Sequence, residues 1–173
     1  FHEFLKKSGE APVIVDTARS SKSLLRLKYH YFNNGYFGVK ANYKLDSLSN
    51  KKAEIKYTIT TGSPYFLDSL KTSIKTIALD SMYRQMKSEA FLKSGNQYKT
   101  KDFEEEKNRI NTYFRNHGVY QFQPNYVTFD LDTLNTGKKV NVNLKINDYS
   151  YQENDTTRTE PFKIYKISDV NIY

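Results

Sequence analysis

Two stretches of this chain follow the same order of residue types, and that internal repeat limits the fold more than composition does. From Tyr31 the sequence runs YFNNGYFGVKANYKLDSLSNKKAEIKYTI, and from Tyr113 it runs YFRNHGVYQFQPNYVTFDLDTLNTGKKVNVNLKI. Each has Tyr-Phe, a short polar stretch, Gly, a β-rich stretch closing on Asp-(Ser/Thr)-Leu, a polar turn, Lys-Lys, and then alternating apolar residues. The match continues outward: EFLKKSG from Glu3 resembles AFLKSG from Ala90, and SPYFL from Ser63 resembles EPFKI from Glu160. The offset between the copies grows along the chain, as loop insertions would make it do.

Spacing sets the elements of the second copy. Residues 79–94 form a helix, with Leu79, Met82, Met86, Ala90 and Phe91 near helical spacing and Gly95 at its end. A second helix runs from about Lys101 to His117, capped by Thr100 or Asp102. The run Glu104, Glu105, Glu106 suits its positive end as a solvated face, and Phe103, Ile110, Tyr113 and Phe114 form its buried stripe. Gly118 stops it. Val127, Phe129 and Leu131 then alternate with Thr128, Asp130 and Asp132, and beyond a turn at 135–137 Val140, Val142, Leu144 and Ile146 alternate with polar residues. This is a hairpin with one buried face. Pro124 places the first of its strands on the outside of a sheet, with a bulge. YSYQENDTTRTE, from Tyr149, reads as a polar loop longer than its counterpart TGS.

The first copy repeats the scheme. DTARSSKS starts a helix capped by Ser20 or Ser21, Leu24, Leu25, Lys28, Tyr31 and Phe32 follow helical spacing, and Gly35 supplies the left-handed stop. Val39, Ala41, Tyr43 and Leu45 alternate in one strand, and Ile55, Tyr57 and Ile59 in the returning one. The Gly-aromatic cluster around Gly35 is therefore a helix end feeding a strand. An RNA-binding sheet motif wants a basic residue before its glycine and Phe-Val-x-aromatic after it. PFKIYKISDVNIY, from Pro161, matches the strand PYFLDSLKTSI that opens the second copy. The expectation is a piece of a longer tandem array: 1–63 a partial unit lacking its first strand and most of its first helix, 64–160 a complete unit, and 161–173 the first strand of a further unit.

Chemistry-bearing constellations are missing from the pattern. With no Cys there is no disulfide, zinc–thiolate site or cysteine nucleophile. His2, His30 and His117 stand far apart in the chain without carboxylates at ligand spacing, and His117 reads as a structural residue beside a helix stop. Asp130 and Asp132 read as solvated positions on a half-buried strand. No P-loop, dinucleotide fingerprint or nucleophile elbow occurs, so neither an enzyme nor a cofactor is expected. No apolar run reaches the roughly 18 residues of a membrane helix. Only 38% of residues are hydrophobic, but 15 Tyr and 11 Phe can close small cores, since each ring buries about 150–250 Å².

GEAPVIVD from Gly9, GYFGVKANYKLDSLSNKKAEIKYTITTGSPYFLDSL from Gly35 and YFRNHG from Tyr113 resemble the POTRA domain in their order and repetition. The resemblance covers essentially the whole chain and is narrower still to the periplasmic POTRA region of the BamA/TamA (Omp85) superfamily, in the TamA-like form of the Bacteroidota called TamL. It implies an α+β fold of tandem POTRA-like βααββ units, each a three-stranded mixed sheet with two helices packed on one face, the third strand central and the second exposed. It also implies a place at the periplasmic face of the outer membrane, with a β-barrel C-terminal to these residues. The implied partners are unfolded outer-membrane client proteins, other envelope assembly subunits and the chain's own barrel, and no nucleic acid.

On that footing an extended client pairs as an added strand along Gly38, Val39, Lys40, Ala41, Asn42, Tyr43, Lys44 and Leu45, or along Val127, Thr128, Phe129, Asp130 and Leu131. Gly62, Ser63 and Pro64 in one link, and Glu160 and Pro161 in the other, set the angles between units, because proline fixes φ and restricts its predecessor. The formal charge of +8 supports a rival reading, a module for a polyanion such as nucleic acid or anionic lipid headgroups. It would use Lys40, Lys44, Lys51, Lys52, Lys56, Lys138 and Lys139, with affinity falling steeply as salt rises.

Overall fold

The structure is a computed structural model that describes residues 15–48 and 52–172. The expectations on EFLKKSG, His2, Lys51 and most of GEAPVIVD lie outside the described residues. Helix α1, Thr17–Asn33, is capped by Asp16, whose Oδ1 accepts the amides of Ala18 (2.8 Å) and Arg19 (3.3 Å). Asp16 rather than Ser20 or Ser21 takes this role because the serines already lie in the first turns. The Ser20 hydroxyl there donates to the Asp16 carbonyl at 2.9 Å. Along α1, Ser20 is buried and Leu24, Leu27 and Tyr31 are half-buried, whereas Leu25, Lys28 and Phe32 are exposed. The stripe thus sits one step away from the one expected, at spacings of four, three and four residues.

That stripe covers a two-stranded antiparallel ribbon of β1 (Lys40–Ser47) and β2 (Ala53–Thr60), paired from Lys40↔Thr60 to Ser47↔Ala53. The strand starts at Lys40, not Gly38: Gly38 lies in a turn, and Val39 is buried with its amide donating to the Tyr36 carbonyl at 3.1 Å. Tyr57 reaches across to the Ser20 carbonyl with its hydroxyl at 3.4 Å.

The rest of the chain is built on a three-stranded sheet. Strand β3 (Phe66–Ile74) is followed by α2 (Ile77–Met86), a 3₁₀ turn at Lys87–Glu89, and α3 (Thr100–Asn116). Strands β4 (Val127–Asp132) and β5 (Lys139–Ile146) come next, and the sheet order is β3-β5-β4. The first strand runs parallel to the central β5 and the second antiparallel to it. Parallel pairing needs a crossover, which the two helices supply. Val140, Val142, Leu144 and Ile146 of β5 point into a core shared with Leu79, Tyr83 and Met86 of α2 and Phe103, Ile110 and Phe114 of α3, so both helices pack on one face. The architecture is α+β, with mixed and antiparallel sheets and packed helices.

Four expectations change here. Helix α2 ends at Met86, not Ser94, because the Met86 carbonyl is taken by Arg109 Nη1 (2.8 Å) and the Phe91 amide by Glu106 Oε2 (3.0 Å). Ala90, in extended backbone, and Leu92 are then buried in the core. Lys99, without a side-chain cap, precedes α3 in place of Thr100 or Asp102. Pro124 opens a 3₁₀ turn, Pro124–Tyr126, ahead of β4 and makes no bulge within it. The expected loop at 149–160 is a hairpin, β6 (Tyr149–Glu153) and β7 (Thr156–Glu160), turning on Asn154 and Asp155, both at positive φ. Residues 161–172 form no ladder among the described residues.

Candidate functional site

The sheet edges are where backbone donors and acceptors are left for a partner. Strand β4, with Val127, Thr128, Phe129, Asp130 and Leu131, pairs with β5 on one side and, among the described residues, with no strand on the other. The opposite edge of the sheet differs. There the loop before α3 covers the start of β3: the Leu67 amide donates to the Asn96 carbonyl, the Gly95 amide to the Leu67 carbonyl (both 2.8 Å), and Phe66 bridges to Gln97. On the ribbon, β1 carries Lys40, Ala41, Asn42, Tyr43, Lys44 and Leu45 and, among the described residues, pairs only with β2.

The sheet face opposite the helices is polar. Asn141 Oδ1 accepts the Ser69 hydroxyl (2.7 Å), Asn143 Oδ1 accepts the Ser73 hydroxyl (3.0 Å), and Asp130 pairs with Lys145. Asp132 Oδ1 accepts the Leu134 amide at 2.9 Å. Among the described residues no group of three or more His, Asp or Glu side chains is placed to hold a metal ion, and no helix is long and apolar enough to cross a membrane. His117 ends α3, with its Nδ1 2.7 Å from the Tyr113 carbonyl and its ring stacked on Tyr113 at 4.0 Å. A carbonyl only accepts, so this contact uses a protonated Nδ1. The described lysines of the rival reading divide between two sheets. Lys40, Lys44 and Lys56 lie on the ribbon strands with Lys52 just ahead of β2, and Lys139 opens β5 with Lys138 just before it, with Lys44 paired to Asp46 (2.8 Å) and Lys139 to Asp68 (3.3 Å).

Two joints repeat one geometry that the sequence match only partly located. At the end of α1 the Gly35 amide donates to Phe32 (3.0 Å) and the Tyr36 amide to Tyr31 (3.1 Å). At the end of α3 the Gly118 amide donates to Arg115 (3.2 Å) and the Val119 amide to Phe114 (3.0 Å). With φ of +87° at Gly35 and +92° at Gly118, both are Schellman stops, a backbone that glycine adopts without strain. Each glycine carbonyl then accepts a tyrosine amide from farther along the chain, Tyr65 onto Gly35 and Tyr165 onto Gly118, both at 2.9 Å. These bonds make Tyr31 the counterpart of Phe114 and not of Tyr113. YFRNHG has one residue more than YFNNG before its glycine, so the Tyr-Phe match is displaced by one.

At Gly35 the joint is packed on a further side. A side chain there would meet the Tyr98 carbonyl at 3.0 Å, and Gln97 Nε2 donates to the Asn34 carbonyl at 2.6 Å. Rings run through it in sequence: Phe32 to Phe37 (5.0 Å), Phe37 to Tyr98 (4.9 Å), Tyr98 to Phe103 (5.1 Å) and Phe103 to Phe129 (5.0 Å). The link between β2 and β3 is short, with Gly62 at φ +69° in open space and Ser63 and Pro64 leading directly into the anchored Tyr65. Glu160 ends β7 and pairs with Lys163 (3.5 Å) across Pro161.

Beneath the helices lies a charged pair that the sequence reading assigned to solvent. Glu106 is 0% exposed. Its carboxylate accepts from Arg109 Nη2 (2.6 Å) and Nε (3.0 Å) as well as from the Phe91 amide. Burial, and then the negative charge of Glu106, push the Tyr83 phenol up to about 12, with Arg109 pulling the other way. Helical spacing carried the signal: Glu106 falls on the stripe Phe103, Ile110, Phe114, with Arg109 three residues on.

No protein-family model matches the chain, and no curated protein matches it. Among solved structures it is similar to the crystal structure of POTRA domains 3–5 of BamA from Haemophilus influenzae, with a TM-score of 0.48 and 19% identity, covering 75% of this chain and 50% of that one. It is also similar to the crystal structure of BamA from Haemophilus ducreyi lacking POTRA domains 1–3, with a TM-score of 0.46 and 15% identity, covering 83% of this chain and 25% of that one. The chain thus spans half the length of the first and a quarter of the second.

Proposed function

We propose that this chain is a non-catalytic scaffold and peptide-binding region of an outer-membrane protein assembly factor, made of tandem POTRA-like βααββ units on the periplasmic side. The strand order β3-β5-β4, with two helices between the first two strands in sequence, carries the reading. It supports a unit whose third strand is central and whose second strand lies on an edge. The repeated glycine joints support a tandem arrangement, with 1–63 a partial unit, 64–160 a complete one and 161–173 the start of another.

An unfolded client segment pairs along β4 from Val127 to Leu131, or along β1 from Lys40 to Leu45. The TamA-like assignment, the barrel and the envelope partners rest on the sequence resemblance. Each added backbone hydrogen bond is worth about 0.5–1.5 kcal/mol net and must offset the cost of ordering the client, so capture is weak and tolerant of sequence, as a handover device requires.

The test is a backbone NMR titration with an unfolded outer-membrane strand peptide at low and at near-physiological salt. Shifts confined to β1 or β4 that survive salt are the expected result. Shifts spread over the lysines and abolished by salt would move the function to polyanion binding, and no shifts at all would reduce the region to a spacer.

A further inference from the structure

The two glycine joints match in four backbone hydrogen bonds and differ in what covers them. Besides the stop and the tyrosine anchor, the Val39 amide donates to Tyr36 (3.1 Å) and the Phe122 amide to Val119 (3.0 Å). The ring two residues past each glycine packs on the anchoring tyrosine, Phe37 on Tyr65 at 4.8 Å and Tyr120 on Tyr165 at 4.9 Å. At Gly35 the loop bearing Gln97 and Tyr98 closes over this pair. At Gly118 no ring besides Tyr165 packs on Tyr120 among the described residues, and Tyr120 is left 56% and Tyr165 46% exposed.

The chain beyond each anchor also has the same spacing. Tyr65, Leu67 and Leu70 correspond to Tyr165, Ile167 and Val170. Leu67 is 2% exposed within the sheet, whereas Ile167 is 83% exposed. The spacing of two and then three residues is that of β3, whose pairing shifts register between Leu67 and Leu70, and an apolar segment of that pattern left in water lacks the sheet that would bury it.

Resting on the tandem reading above, we propose that the Tyr120–Tyr165 face receives an aromatic-tipped loop of the Gln97–Tyr98 kind, carried by a unit whose first strand is residues 165–172. The loop brings a ring onto Tyr120 and a side-chain amide donor to the carbonyl of His117, the counterpart of Asn34. A second copy of this chain is the poorer occupant, because its own Gln97 and Tyr98 are already engaged at its Gly35.

Hydrogen–deuterium exchange of residues 117–122 and 165–172, in this 173-residue chain and in the full chain, tests the proposal. In the full chain both segments are expected to exchange at least about tenfold more slowly, and Tyr120→Ala is expected to restore fast exchange at 117–122 while 165–172 stays protected. Protection of 165–172 alone would overturn the docked loop and leave the tandem reading standing. Equal exchange of both segments in the two chains would overturn both. Slowing that depends on protein concentration in the 173-residue chain would replace the loop with a second copy.

Discussion

Glu106 is held by three donors in a place that water does not reach, so the energetics of its partners are those of a buried pair rather than a surface one. Removing Arg109 leaves a carboxylate facing apolar core, and breaking such a pair costs about 3–5 kcal/mol. Arg109→Met is therefore expected to destabilise by about 3 kcal/mol in urea unfolding, and Glu106→Gln by less, since an amide oxygen still accepts the Phe91 N–H. The double variant is expected to recover part of the loss, which a double-mutant cycle reads directly. Strictly additive losses would mean that the two side chains act independently. Tyr83 adds a pH dependence. Its phenol ionises near 10 when unfolded and near 12 when folded, so the folded state keeps a proton that the unfolded state releases. The resulting stability is complete below pH 10 and is lost as pH rises through 12, by about 2 kcal/mol. Tyr83→Phe is expected to flatten that decline in stability measured from pH 9 to 12, and an unchanged decline would place the titration elsewhere.

At the scale of elements, the exposed side of β4 offers a concrete discrimination. Strand addition uses the backbone on one edge of the incoming peptide, every second residue. A client peptide N-methylated at alternate residues is expected to lose β4 binding in one phase of the pattern and keep it in the other, measured by the same NMR titration. Equal loss in both phases would point to side-chain recognition. The paired strands of the ribbon and of β4–β5 were legible in the sequence because alternation in Ala41, Tyr43, Ile55 and Tyr57, and in Val140 to Ile146, has only one extended solution. Helix limits were less legible. The end of α2 is set by Arg109 and Glu106, which reach it from another helix and leave no local mark at Met86. The β6–β7 hairpin was missed although Asn154-Asp155, both at positive φ, is the turn chemistry such a hairpin uses. The surrounding Glu, Thr and Arg residues hid it, because only Tyr149 and Tyr151 mark its one half-buried face and β7 carries no apolar residue. For the candidate site, the β4 strand was readable as an outer one, but its open edge and the shared tyrosine anchor of the two glycines needed coordinates, since each bond joins residues far apart in sequence.

At the scale of the molecule, the question is what holds the α1–ribbon portion in place. Within the described residues 15–60, Val39 is the one hydrophobic residue counted as buried, and the stripe of α1 is only half-buried. A portion with so little core of its own is marginal alone, and its order depends on the Gly35 joint, where Phe37 meets both Tyr65 and Tyr98. The three-stranded sheet, by contrast, has its own core from Leu79 to Ile146. Phe37→Ala is therefore expected to act unevenly. It removes a ring whose full burial would be worth about 3–5 kcal/mol, so a half-buried position loses about 2 kcal/mol, and the loss falls on the weaker portion. Residue-resolved hydrogen exchange should show protection vanishing in α1, β1 and β2 while α3 and β5 keep theirs, and denaturant transitions read in the two portions should separate. Gly35→Ala, which forces a side chain against the Tyr98 carbonyl at a positive φ, should do the same by a different route. If either substitution lowers protection uniformly across both portions, the joint is part of a single cooperative core and not a coupling between two.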